Sequence, residues 1–131
     1  NTRTRDWLET SHALGYEVVT MAQYREIGLK ASVDLIRKRL GDMPVYITFD
    51  LDCLDPTIAP AVSNLEAGVN GFTIDEALTL VRAARGLNVI GGDVVCLMPT
   101  KDSPNNITAM VAAAVAYEIV SLIAEPFARK K

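Results

Sequence analysis

Residues 46–56 read YITFDLDCLDP, an apolar run that passes into a cluster of aspartates. The run Val45–Phe49 is almost continuously apolar, which is typical of a strand buried on both faces of a parallel sheet. Because alternate residues of a strand share a face, we expect Asp50 and Asp52 to point the same way, roughly 6–7 Å apart. They stand at the carboxyl end of the strand, where open α/β sheets bind their ligands. This one stretch therefore predicts both the fold class and the position of a site.

The pattern on either side of this strand alternates between helix and strand. A capping box formed by Thr73 and Glu76 marks the start of one helix, and no hairpin signal separates the apolar runs. The other predicted elements are a helix over Asp6–Leu14, a strand over Tyr16–Thr20, a helical stripe over Leu29–Leu40, a strand over Leu87–Val95 in which Gly91 and Gly92 allow a close backbone approach, and a final apolar helix over Asn105–Glu125 that Ser103-Pro104 begins. This order predicts an α/β fold with a mainly parallel sheet.

The composition limits the classes of function. The chain has 131 residues, half of them hydrophobic, so residues 1–131 are interpreted as a single domain with a buried core. Thirteen basic against sixteen acidic residues give a net charge of −3, and nucleic acid is not an expected partner. The two cysteines, Cys53 and Cys96, are too few for a disulfide framework and indicate a reducing compartment. With no secretory leader, and with the final helix interpreted as a buried helix rather than a membrane span, the predicted location is cytoplasmic.

The paired aspartates have several interpretations. Two carboxylates held together in a partly dry crevice repel each other, and a divalent metal removes that cost. Alternatively, they are solvated loop residues, with Asp55-Pro56 opening a turn. Two further hypotheses concern the whole function: a haloacid-dehalogenase-like, Mg²⁺-dependent phosphatase, whose D-x-D motif also follows an apolar strand, or a non-catalytic module whose final helix serves assembly.

The stretch TFDLDCLDPTIAP, from Thr48 to Pro60, resembles the third metal-binding signature of the ureohydrolases, the arginase and agmatinase family. The resemblance continues through Gly71-Phe72-Thr73 and Gly92-Asp93-Val94-Val95 into the final helix, and agmatinase-like members look the most similar. It implies a three-layer α/β/α fold, a dinuclear Mn²⁺ centre, and hydrolysis of a guanidino C–N bond that releases urea.

The same resemblance implies roles for individual residues. Asp50 and Asp52 would be metal ligands, and Asp55 would support the ligands or organise their loop. The family also binds metal through a Gly-Gly-Asp-His and an Asp-x-His-x-Asp segment, which this sequence lacks; its one histidine is His12. We therefore expect residues 1–131 to be the C-terminal part of a larger ureohydrolase domain, inactive alone. The resemblance further implies a homo-oligomer, a trimer or a hexamer.

The predicted substrate side departs from the family pattern. The residue after Asp-Val-Val, an acid in the family that holds the guanidinium group, is Cys96 here. A thiol cannot replace the charge-assisted pairing of a carboxylate, so either Glu66 takes that task or the substrate differs. Thr73 would approach the substrate by resemblance, although its capping box already explains it. Agmatine, guanidinobutyrate and other linear guanidines all fit this signature, and no catalytic acid or base is assigned.

The two cysteines and one further aspartate have simpler interpretations. Cys96 is interpreted as a small hydrophobic residue at a strand end. Cys53 lies between two acids, which disfavours its thiolate, so we expect it to be inert. Asp102 either orders the loop before the final helix or caps that helix.

Overall fold

The computed structural model describes residues 6–66 and 70–128. Its elements are α1 (Trp7–Ala13), α2 (Met21–Leu40), β1 (Pro44–Asp50), α3 (Ile74–Arg82), β2 (Asn88–Val95) and α4 (Ile107–Ala128), with short 3-10 turns at Leu51–Cys53 and Pro99–Lys101. Helices and a strand pair alternate as predicted, and the capping box of Thr73 and Glu76 begins α3.

The two strands form a parallel pair joined by α3. The register runs from Pro44 opposite Asn88 to Asp50 opposite Val95, with an irregularity between Val45 and Tyr46. A parallel pair needs a crossover connection, which α3 supplies. Both strands consequently end at the same edge of the sheet, where Asp50 and the residues after Val95 lie side by side.

The core lies between the sheet, α3 and α4. Gly92 of β2 allows the close approach predicted for it, because a Cβ there would stand 2.6 Å from the Ile47 carbonyl oxygen and 2.7 Å from a methyl of Ile119. Side chains from both strands and from α3 and α4 complete the core, among them Val45, Phe49, Leu51, Val81, Val89, Val115 and Leu122. This packing fixes the strand ends that carry the aspartates.

The strand predicted over Tyr16–Thr20 is wrong. Residues 16–20 are irregular, and Thr20 instead caps α2 through a capping box with Gln23. The prediction rested on the β-branched residues of this segment. The Thr-x-x-Gln pattern, however, forms a capping box that begins a helix directly after Thr20. The predicted stripe Leu29–Leu40 is helical. A further helical segment precedes it from Met21, and the two segments of α2 meet at a kink at Gly28, whose φ of 79° and ψ of 170° are not helical.

The final helix also differs from its prediction. It begins at Ile107 rather than Asn105, so Ser103-Pro104 lies before it, and Asp102 caps it by accepting from the Thr108 and Ala109 amides at 3.1 and 2.9 Å. One face packs on β2 and α3, while Met110, Tyr117 and Val120 on the other are exposed. Within the described residues, the helix predicted to be buried is therefore covered on one face only. By length and composition alone, α4 could also cross a membrane.

Candidate metal centre

Asp50 and Asp52 meet at the end of β1, but not for the reason the strand pattern suggests. Asp52 has already left the strand and lies in the 3-10 turn Leu51–Cys53. Asp50 caps this turn, with its Oδ1 accepting from the Asp52 amide at 2.9 Å. The alternation argument is therefore wrong for Asp52. The turn, rather than the strand, brings the second carboxylate back toward the first.

The Asp52 carboxylate is held at one oxygen and unsatisfied at the other. Its Oδ2 accepts from the Asn64 amide at 3.2 Å, across the long loop that follows β1. Its Oδ1 is buried and has no hydrogen-bond partner in residues 6–66 and 70–128. A buried carboxylate oxygen without a donor or a cation is costly. Among the described residues, no positively charged group lies at this oxygen.

Cys96 joins these carboxylates from the neighbouring strand. It follows β2 directly with a φ of 70°, a region that few non-glycine residues adopt. The Ser63 amide holds this backbone by donating to the Cys96 carbonyl at 3.0 Å. Hydrogen bonding of the thiol to Asp50, together with desolvation, raises the pKa of Cys96 above its ordinary value. The interpretation of Cys96 as a merely hydrophobic residue is wrong, because it faces the acids.

Asp50, Asp52 and Cys96 form one group, which we call the metal centre. Each offers a ligand atom, and these three atoms lie within 4.8 Å of one another; Asp50 is exposed and the other two are half-buried. None of them forms an ion pair with another described residue. Such a group can bind a divalent cation on one side and remain open to solvent or further ligands on the other.

The other carboxylate on the sheet, Asp93, gives a useful contrast. Its two oxygens accept from the Thr48 hydroxyl at 2.7 Å and from the Tyr46 hydroxyl at 3.0 Å. Both oxygens are thus occupied by side chains of β1. Asp93 is satisfied by the fold and is not a candidate ligand.

Cys53 lies beside the metal centre and stays protonated. Burial, reinforced by the charge of Asp50, raises its pKa to about 12. A thiol with such a pKa is a poor nucleophile at neutral pH. The raised pKa agrees with the expectation that the thiolate form of Cys53 is disfavoured.

Asp55 organises the loop rather than joining the metal centre. Its Oδ1 accepts from the Thr57 hydroxyl at 2.6 Å and from the Thr57 amide at 2.9 Å. These hydrogen bonds, the hydroxyl first, lower the pKa of Asp55. The Asp55 amide donates to the Phe72 carbonyl at 3.0 Å, which ties the loop to the start of α3.

Glu66 and Thr73 lie outside the metal centre. Glu66 is half-buried and makes no hydrogen bond or ion pair with the part of the chain that the structure describes. Thr73 is occupied as a helix cap: its hydroxyl accepts from the Glu76 amide at 3.2 Å, and the Glu76 carboxylate accepts from the Thr73 amide at 2.9 Å. Of the two predicted substrate residues, Thr73 is engaged in its helix cap, whereas the Glu66 carboxylate has no partner in the described part of the chain.

Sequence reasoning missed a polar connection between α2 and α3. Arg25 pairs with Glu76 and donates to the carbonyls of Asn70 and Gly71 at 3.1 and 3.0 Å. We call Arg25, Glu76, Thr73, Asn70 and Gly71 the α2–α3 clamp. No local pattern marks Arg25, because its partners lie more than forty residues away in the chain.

The donor set fits a divalent metal only in part. Carboxylate oxygens suit Mn²⁺ and similar hard ions, whereas a thiol suits borderline and soft ones. The observation that supports a cation here is the buried Oδ1 of Asp52, which has no partner in the part of the chain that the structure describes. A metal ion bound by these three residues would need further ligands from other groups.

Comparison with known proteins gives the relationship of this chain. The arginase family model matches residues 2–121. An agmatinase of Serratia proteamaculans is 41% identical over 114 residues, which cover 87% of this chain and 36% of that protein. An agmatinase of Escherichia coli O7:K1 is 41% identical over 106 residues, 81% of this chain and 34% of that protein. The chain thus spans about a third of the length of the curated relatives it matches.

Two solved structures share the fold. A hypothetical agmatinase from Burkholderia thailandensis superimposes with a TM-score of 0.83 at 37% identity, covering all of this chain and 38% of that one. The proclavaminate amidino hydrolase of Streptomyces clavuligerus also gives a TM-score of 0.83, at 32% identity, covering 89% of this chain and 39% of that one. These matches confirm the predicted arginase-like α/β fold. The chain belongs to the arginase family.

Proposed function

We propose that the whole protein to which this chain belongs hydrolyses a guanidino C–N bond and releases urea, with Asp50 and Asp52 among the ligands of a Mn²⁺ centre. The observation that carries the proposal is the buried Oδ1 of Asp52 beside Asp50, which has no partner within residues 6–66 and 70–128 and lies at the strand end where α/β sheets bind ligands. Membership of the arginase family and the similarity to agmatinases support the reaction class.

The residues of this chain have defined tasks in that reaction. When bound, a pair of divalent metals lowers the pKa of water and supplies a nucleophile at neutral pH. Asp50 and Asp52 would hold the metal, with Asp52 oriented by the Asn64 amide. Asp55 would keep the loop in place through Thr57 and Phe72. Such outer contacts orient ligands and influence metal affinity.

The centre is incomplete in these residues. A dinuclear site needs more ligands than two aspartates and a thiol, and the chain contains one histidine, His12, which lies on α1. We propose that the remaining ligands come from a segment outside residues 1–131, and that this chain alone has no urea-releasing activity.

The proposed substrate is a small linear guanidine, with agmatine as the first to test because relatives at 41% identity carry that name. Glu66 is the candidate for holding the guanidinium group, since the Thr73 hydroxyl is engaged by Glu76. The phosphatase hypothesis is not favoured, because the family match assigns the D-x-D stretch to an arginase-type chain.

Two wider features belong to the same proposal. The two free cysteines support a cytoplasmic location, because thiols persist in reducing compartments. By family resemblance we also propose a homo-oligomer, a trimer or a hexamer. Light scattering on the whole protein would measure its mass, and a monomer would contradict this part.

The test is urea release by the whole protein. We expect release from agmatine, guanidinobutyrate or arginine in the presence of Mn²⁺, and loss of at least about a hundredfold in rate for Asp52→Asn, because a metal ligand is removed. The matched control is Asp42→Asn, an exposed aspartate outside the centre. Phosphate release with Mg²⁺, or unchanged urea release by Asp52→Asn, would contradict the proposal.

A further inference from the structure

The metal centre has a sulfur atom where a purely carboxylate site would have oxygen. The Cys96 thiol lies within 4.8 Å of ligand atoms on both Asp50 and Asp52. Ligands around one tetrahedral ion stand about 3.5 Å apart, given metal–oxygen distances of about 2.1 Å and metal–sulfur distances of about 2.3 Å. A shift of about 1 Å in side chains at this rim therefore suffices to close the group on one cation.

The backbone holds the thiol in this position from two sides. The Ser63 amide donates to the Cys96 carbonyl, and the Met98 amide donates to the Ala61 carbonyl at 2.9 Å. Val62 and Leu97 pair between these bonds as an antiparallel bridge. The loop that supplies the Asn64 amide to Asp52 is thus the same loop that fixes Cys96. The aspartate and the cysteine are positioned together.

We infer that Cys96 is a third ligand of the ion held by Asp50 and Asp52. The affinity of this site for Co²⁺ and Zn²⁺, relative to its affinity for Mn²⁺, is then higher than that of a site made of two carboxylates alone. The inference rests on the proposed function, which supplies the metal. A bound divalent ion displaces the thiol proton, and the proton leaves to solvent on the exposed side of Asp50.

Two properties of the group favour a cation over a simple contact between thiol and carboxylate. The Asp52 Oδ1 is buried without a partner among described residues, and the thiol's hydrogen bond to Asp50 does nothing for that oxygen. A shared cation satisfies all three residues at once. The sulfur ligand also influences which ion binds. Thiolates increase the preference for Zn²⁺ and Co²⁺ over Mn²⁺ beyond the preference that most protein ligands already give.

The test is a Co²⁺ titration of the 131-residue chain under reducing conditions, followed by absorption spectroscopy. A sulfur-to-cobalt charge-transfer band in the near ultraviolet reports a Co–S bond directly. We expect the band in the unchanged chain and its loss in Cys96→Ser. That variant should weaken Co²⁺ binding about tenfold or more and Mn²⁺ binding much less, because oxygen replaces sulfur.

Cys53→Ala is the matched control, because Cys53 is the only other thiol and lies outside the metal centre. Its band should be unchanged, with circular dichroism confirming that both variants are folded. A band that persists in Cys96→Ser, or that disappears in Cys53→Ala alone, would overturn the inference.

Two other outcomes separate this inference from the proposed function. Co²⁺ binding that Asp52→Asn abolishes, but without any charge-transfer band, would show that the carboxylates hold the ion without Cys96; the inference would then fail and the proposed function would stand. An absence of Co²⁺ binding at millimolar metal would also overturn the inference, and urea release by the whole protein would decide the proposed function independently.

Discussion

The metal centre and the α2–α3 clamp both gather charged groups at the ends of secondary-structure elements, but their partners differ. In the clamp, Arg25 meets Glu76 and two backbone carbonyls, and Glu76 also receives the Thr73 amide. In the metal centre, Asp50 and Asp52 have no ion pair in the described chain, and one oxygen of Asp52 has no partner there at all.

The difference predicts that the clamp residues stabilise the fold and that the aspartates of the metal centre do not. Partnered charges recover in the folded state what they lose on leaving water, whereas unpartnered ones do not. Asp93 belongs with the clamp in this respect, although it lies on the same sheet as Asp50. The four predictions below test whether removing a clamp residue lowers stability while removing a centre residue does not.

The largest expected effect on stability is at Gly71, in the clamp. A Cβ at this position would stand 2.6 Å from the Asp55 amide nitrogen and 2.7 Å from the Leu54 carbonyl carbon, and these are backbone atoms. Gly71→Ala should therefore lower the free energy of unfolding by about 2–3 kcal/mol. Urea denaturation measures this loss of unfolding free energy. Gly15→Ala, with open space but a φ of 88°, is the control at about 1 kcal/mol; an equal loss in both variants would contradict the close approach.

Arg25→Met should have the next largest effect. It keeps the aliphatic length of the side chain but removes the ion pair with Glu76 and the hydrogen bonds to the Asn70 and Gly71 carbonyls. We expect a loss of about 1–2 kcal/mol in unfolding free energy, because the pair is only half-buried. Divalent metal binding should be unchanged. A variant that kept its stability and lost metal binding would reverse the assignment of the two regions.

The same variant has a smaller, pH-dependent component. Hydrogen bonding from Arg25, then from the Thr73 amide, lowers the pKa of Glu76 in the folded chain. A lowered carboxyl pKa contributes stability above its unfolded value, about 4.3, that is lost as the pH falls through the folded value. The difference between the unchanged chain and Arg25→Met should be full at pH 7 and shrink below about pH 4. A difference that grows as the pH falls would refute this sign.

Asp52→Asn should have the smallest effect on stability and the clearest effect on metal. An asparagine oxygen can still accept from the Asn64 amide, and removing a charge relieves repulsion with Asp50. The metal-free variant should therefore stay within about 0.5 kcal/mol of the unchanged chain in urea denaturation. A loss of unfolding free energy similar to that of Arg25→Met would mean that Asp52 stabilises the fold, and it would contradict a role in ligand binding alone.

Much of the fold follows from local sequence because its signals are local. The apolar run before Asp50 and the capping box of Thr73 each act over a few residues, and the structure contains both. The strand predicted over residues 16–20 is wrong for a local reason too. Gln23 completes a capping box with Thr20, and this helix start prevails over the strand preference of the β-branched residues before it.

The site is less predictable because its contacts span the chain. Asn64 reaches Asp52 across a loop, and Ser63 sets the unusual backbone of Cys96 from another element. The family resemblance draws attention to Cys96, but only the fold brings its thiol close to Asp50 and Asp52. Arg25 carries no local signal for the same reason, since its partners depend on how α2 packs against α3.

The most direct test of the central claim is a Mn²⁺ titration of this chain and of Asp52→Asn, in which electron paramagnetic resonance measures the free ion. We expect the unchanged chain to bind Mn²⁺ weakly, because other ligands of the centre are missing, and Asp52→Asn to bind it at least about tenfold less tightly. Equal Mn²⁺ binding by both chains would contradict the assignment of Asp52 as a metal ligand.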